Sequence, residues 1–205
     1  MEYKNQEQNL FLKFIFRPAA KYCIPLLSSF RVTPNQITLL SFFFGVFATV
    51  LFVYSQYFLG SICICIYIFL DVCDGELARF KNECTPLGAK LDFYSNALIW
   101  FLLPMGIYLG TDISFFLFLL SWMAIAVNQL IIRVICPYTT EYSPQQRVFN
   151  RFFVRNKLRF GFDEIDMQLM IVIMAPFENS AVILYSIITL MTLDWIYRVV
   201  ECREK

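Results

Sequence analysis

Residues 37–54 read ITLLSFFFGVFATVLFVY, eighteen consecutive positions without a charge. A bilayer core takes about 20 predominantly apolar residues in helical form. The run has none of the period-two alternation that a membrane strand needs. Working outward, Leu91–Leu109 and Ile113–Ile132 are built the same way, almost free of charge. Across the 205 residues, 59% are hydrophobic and 16% charged, whereas a soluble domain carries about 25% charged residues. The expectation is an all-α polytopic membrane protein with six transmembrane helices, at about 35–54, 57–77, 87–108, 113–136, 163–177 and 179–199. The fifth is the weakest, because its apolar part is short and Asp163, Glu164, Asp166 and Gln168 crowd its start.

The basic residues supply an independent test of this topology, since short cytoplasmic loops collect Lys and Arg. Lys4, Lys13, Arg17, Lys21 and Arg31 precede the first span. Arg79, Lys81 and Lys90 surround the second connection. Arg133, Arg147, Arg151, Arg155, Lys157 and Arg159 surround the fourth, and Arg198, Arg203 and Lys205 close the chain. Together these are all 17 Lys and Arg residues. The three opposite loops carry only Asp112 and Glu178. Both termini are therefore expected on the cytoplasmic side of the inner (cytoplasmic) membrane, and an even span count agrees.

The chain is read as one membrane-embedded domain over 1–205, with an interfacial amphipathic helix in 1–32 and a six-helix bundle in 33–200. Leu10, Phe11, Phe14 and Ile15 recur on one side of the first segment, with Lys13, Arg17 and Lys21 toward water, the pattern of a helix lying among lipid headgroups. Thr33-Pro34-Asn35 is a helix start. No cleavable signal of the basic, apolar, small-residue kind is expected at the N-terminus. The basic residues flank spans, which gives no support to nucleic-acid binding. The chain has no His, which excludes Ser-His-Asp, Cys-His and His-ligated metal chemistry. The seven Cys form no C-x-x-C pair and read as apolar filler.

Acidic residues within spans mark function by default, and most of them converge on one region. Span two ends Asp71-Val-Cys-Asp74-Gly75-Glu-Leu-Ala78-Arg79, and span three begins Gly88-Ala-Lys-Leu-Asp92-Phe-Tyr-Ser-Asn96. Asp71 and Asp74 are three apart, Asp92 and Asn96 four apart, so each pair shares a helix face. The short connection makes the two spans antiparallel neighbours, so three carboxylates and one amide can meet at the inner membrane edge. Clustered carboxylates repel unless a cation neutralises them. An all-oxygen donor set suits Mg²⁺, Mn²⁺ or Ca²⁺. Gly75 clears space beside Asp74, and Arg79 offers a fork for a phosphate. Snorkelling helix-end charges would be the bland reading of any one of these residues, and a helix-packing glycine that of Gly88.

These residues resemble the motif of the CDP-alcohol phosphotransferase (CDP-alcohol phosphatidyltransferase) family, D-x-x-D-G-x-x-A-R-x8-G-x3-D-x3-D. Seven of its eight fixed positions are matched in register, by Asp71, Asp74, Gly75, Ala78, Arg79, Gly88 and Asp92. The resemblance implies a membrane transferase of phospholipid biosynthesis. Such an enzyme moves a phosphoryl-linked group from a CDP-activated lipid or CDP-alcohol donor to an alcohol acceptor and releases CMP. It further implies Mg²⁺ or Mn²⁺ held by Asp71, Asp74, Asp92 and position 96. Gly75, Ala78, Arg79, Gly88 and Asn35 would line the CDP site, the site would face the cytoplasm, and the chain would form a homodimer.

Asn96 departs from the motif where the family places its general base. An amide cannot take the acceptor's proton, so the resemblance implies an impaired form. An engineered variant, a natural divergence and a different base, with Tyr94, Ser95 and Glu76 near in sequence, stay open. So does a non-catalytic CDP-lipid-binding paralogue. A small cation transporter is disfavoured because the acids sit at one edge and not at the midplane. For the acceptor, Arg133, Arg198, the Arg151–Arg159 cluster, Glu164, Asp166 and Asp194 are candidates, equally readable as topology signals or ion pairs.

Overall fold

A computed structural model of the chain describes residues 11–30, 32–131, 164–177 and 179–203. Among them every regular element is helical. A π-helical turn over Leu12–Phe16 runs into α1 (Arg17–Ser29). It is followed by α2 (Pro34–Val53), α3 (Tyr57–Lys81), α4 (Pro86–Leu109), α5 (Phe115–Leu130) and α6 (Glu164–Met174). A 3-10 turn over Ala175–Phe177 and α7 (Ser180–Arg203) complete the order. Two of these, Pro34–Val53 and Tyr57–Lys81, are long and apolar enough to cross a membrane unaided; Phe115–Leu130, Ile165–Phe177 and Ser180–Ile196 are shorter apolar helices. Over the fifth expected span the described residues hold an α-helix of 11 residues. The expected end of the fourth span beyond residue 131 lies outside the described residues.

Local chemistry explains the helix starts that matter. Thr33 accepts from the Gln36 N–H at 3.4 Å while Gln36 Oε1 accepts from the Thr33 N–H at 2.9 Å, a reciprocal cap, with Pro34 first in the helix. Thr85 accepts from the Gly88 N–H at 3.0 Å and is likewise followed by proline. Between them α3 ends on Asn82, whose φ of 57° is the left-handed turn that asparagine tolerates. Four residues, 82–85, therefore link α3 to α4, and α2 packs against both of them.

The main core gathers Phe52, Ile64, Tyr67, Ile68, Ile99, Leu103 and Ile107 from α2–α4 with Met167, Ile171, Ile183 and Ile187 from α6 and α7. Within lipid, close helix approach depends on small residues more than on apolar burial. A Cβ at Gly106 would lie 2.7 Å from the Thr49 carbonyl oxygen, so α2 and α4 touch backbone to backbone there. A second cluster joins Ala20 and Ile24 of α1 to Ile37 of α2 and to Val72, Cys73 and Leu77 of α3. The segment expected at the interface is thus packed onto the helix that carries the acidic motif.

Candidate active site

The first turns of α2 and α4 and the C-terminal third of α3 meet at one end of the bundle. They enclose a cleft of about 150 Å³ lined by Asn35, Thr38, Asp74, Gly75, Ala78, Arg79, Gly88 and Asp92, among others. The five positions expected to line a nucleotide site, Asn35, Gly75, Ala78, Arg79 and Gly88, are all in that wall. Two helix N-termini open onto it, and such termini favour anions through their oriented N–H groups. At Gly88 the need for glycine is steric. A Cβ there would sit 2.9 Å from Asn35 Oδ1 and 3.1 Å from Thr85 Oγ1. A Cβ at Gly75 would meet Arg79 only at 3.4 Å, so that glycine keeps space open rather than permitting a close approach.

Carboxylate oxygens of Asp71, Asp74 and Asp92 all lie within 4.8 Å of one another. Asp74 is buried, with Oδ2 accepting from the Thr38 hydroxyl at 2.6 Å. Asp92 Oδ1 accepts from Asn96 Nδ2 at 2.8 Å. Asp71 Oδ1 is buried and has no hydrogen-bond partner. An orphaned carboxylate oxygen beside two further carboxylates is electrostatically unfavourable unless a cation sits among them. The donor set fits Mg²⁺ or Mn²⁺, which favour oxygen ligands shared between one or two carboxylates and substrate phosphates.

Asn96 lies one turn deeper than Asp92. Its amide oxygen accepts from the Tyr67 hydroxyl at 2.6 Å, and its nitrogen faces Asp92. Neither Asp71 nor Asn96 lines the cleft itself. Glu76 is buried between Arg79, whose Nη2 donates to Oε1 at 2.9 Å, and Arg17 of α1, whose Nε lies 3.6 Å from the same oxygen.

Sequence reasoning had not singled out Thr38, Tyr67 or Arg17 as partners of the motif. Thr38 had a signal, since it follows Asn35 by three residues on one helix face. Tyr67 and Arg17 had none, because nothing local ties them to residues 29 and 59 positions away. Asp194 on α7 is buried and accepts from Asn128 of α5 at 3.0 Å, so it belongs to a helix–helix contact. The expectations for Arg133 and the Arg151–Arg159 cluster lie outside the described residues.

Archaetidylinositol phosphate synthase of Pyrococcus horikoshii is 26% identical over 184 residues, covering 87% of this chain and 88% of that one. A bifunctional IPC transferase and DIPP synthase of Aquifex aeolicus is 42% identical over 62 residues, which are 30% of this chain and 14% of that one. The fold matches that of Mycobacterium tuberculosis phosphatidylinositol phosphate synthase, solved with CDP-DAG bound, at a TM-score of 0.66 and 16% identity, covering 92% and 93% of the two chains. Residues 31–200, which contain the whole cleft and its carboxylates, match the CDP-alcohol phosphatidyltransferase family, and the chain belongs to that family of helical membrane proteins.

Proposed function

We propose that the cleft binds a CDP-activated lipid and that its chemistry is transfer of the lipid-linked phosphoryl group to an alcohol, with release of CMP. The observation that carries this reading is the meeting of Asp71, Asp74 and Asp92, the last two of which line a cleft walled by Arg79 and two helix N-termini. In the reaction the acceptor hydroxyl oxygen bonds to the lipid-bearing phosphorus. The bridging P–O bond breaks, CMP leaves with its electron pair, and the hydroxyl proton must go to a base. The relatives' own names speak of phosphatidylinositol phosphate, archaetidylinositol phosphate and CDP-DAG, which supports a lipid donor and a polyol-type acceptor.

Asp71, Asp74 and Asp92 would hold Mg²⁺ or Mn²⁺. Bound there, the cation would neutralise pyrophosphate charge and polarise the P–O bonds. Arg79 supplies a planar fork for the phosphates. Asn35 and Gly88 set the width of the nucleotide end. Thr38 orients Asp74 by its hydroxyl hydrogen.

The second reading, a CDP-lipid-binding protein without turnover, is favoured by Asn96. Its amide is committed to Tyr67 on one side and Asp92 on the other, and it cannot take a proton. Asn96→Asp is the discriminating variant. If position 96 is the base, that variant raises CMP release by about 10²–10⁴, the usual worth of general-base help, while donor affinity stays within about tenfold, because the gain belongs to the transition state. Equal CMP release by this chain and the variant, across a panel of acceptors, would remove position 96 from the base role. We further propose that the chain forms a homodimer.

A further inference from the structure

Glu76 sits two residues past Asp74, in the part of α3 that walls the cleft, yet its side chain is only 5% exposed. A carboxylate so buried needs compensating positive charge, because removing its partners leaves an uncompensated charge in a poorly polarisable place. Arg79 and Arg17 provide that charge through the same oxygen, Oε1, at 2.9 and 3.6 Å. The two arginines differ in position. Arg79 is 43% exposed and lines the cleft, whereas Arg17 is 20% exposed and begins α1. Three and seven residues on from Arg17, Ala20 and Ile24 fix α1 against Val72, Cys73 and Leu77 of α3. Arg17 is thus held beside Glu76 by packing that does not involve the cleft.

Arg79 has two demands on one guanidinium, the buried Glu76 and the phosphates of a donor. We infer that Arg17 is a positioning residue for donor binding: it compensates Glu76 so that Arg79 can turn its fork to the donor phosphates. This rests on the reading of the cleft as a CDP site. It gives α1 a task beyond anchoring, since α1 delivers the charge that frees Arg79. Without Arg17, Glu76 draws more strongly on Arg79, and each phosphate contact competes with that ion pair.

The test is calorimetric binding of CDP with Mg²⁺ to the purified full chain in nanodiscs. Arg79→Ala should abolish most of the affinity. Arg17→Met should weaken CDP binding about tenfold, within the range found for residues in one charge network. Arg17→Lys keeps the charge and should stay within about twofold of the parent. In a Glu76→Gln background, where that carboxylate no longer holds Arg79, adding Arg17→Met should change nothing further. Should Arg17→Met not fold, Arg17→Gln takes its place in the cycle. Unchanged CDP affinity in Arg17→Met, or an equal loss with and without Glu76, overturns the inference and leaves the CDP site standing. Failure of the parent to bind CDP, or full affinity in Arg79→Ala, overturns the reading of the cleft and the inference with it.

Discussion

Thr38 and Asn96 show how single hydrogen bonds set the state of the acidic cluster. The Thr38 hydroxyl donates to one oxygen of Asp74, and the Asn96 amide donates to one oxygen of Asp92. Each donor holds one carboxylate oxygen in place. Groups that orient ligands in this way usually contribute 10–100-fold to metal affinity. Thr38→Val removes the donor at nearly constant volume. It should raise the Mg²⁺ concentration needed for half-maximal CDP binding by about 10–100-fold, with Thr38→Ser close to the parent. A Mg²⁺ titration followed by CDP binding checks this; an unchanged midpoint in Thr38→Val would mean that the hydroxyl does not orient a ligand.

At the scale of elements, glycines divide into those that build the bundle and those that shape the cleft. Gly106 lets α4 approach the Thr49 backbone, which cannot move aside. Gly106→Val should therefore lower stability by about 1–3 kcal/mol through overpacking, seen as a lower thermal midpoint in detergent. Gly88→Ala meets the end of the Asn35 side chain instead, so it should displace Asn35 and weaken CDP binding while moving the thermal midpoint little. The opposite pattern would show that Gly88 serves packing. The acidic cluster was legible in the sequence because its spacing is local: three residues for Asp71 and Asp74, four for Asp92 and Asn96, and a short turn between the helices. The Thr85 cap and the Asn82 helix end follow from the same local chemistry. The contacts of Thr38, Tyr67 and Arg17 were not legible, because they depend on which faces of separate helices meet, and apolar helices in lipid carry little periodic signal to say so. The docking of α1 on α3 was hidden for the same reason, since an amphipathic segment reads as lipid-facing whether or not protein covers part of it.

For the whole molecule, the orientation of the bundle in the membrane follows from where its charges lie. We propose, from the segregation of basic residues, that the cleft faces the cytoplasm and that the turns near residues 56, 111 and 179 face the opposite side. Single cysteines at these three positions, in a Cys-free background, should react with impermeant reagent only from the side away from the cleft, and a cysteine at 83 only from the cleft side. Cytoplasmic labelling at 179 would show that the short α6 does not complete a crossing. The proposed cation would sit where Asp71, Asp74 and Asp92 crowd together with an unpartnered oxygen. Its most direct test is the affinity of the purified chain for CDP-activated lipid with Mg²⁺ or Mn²⁺ and in excess chelator. Binding that requires the cation, and that Asp74→Ala abolishes, is the result the account predicts; undiminished affinity in chelator would contradict it.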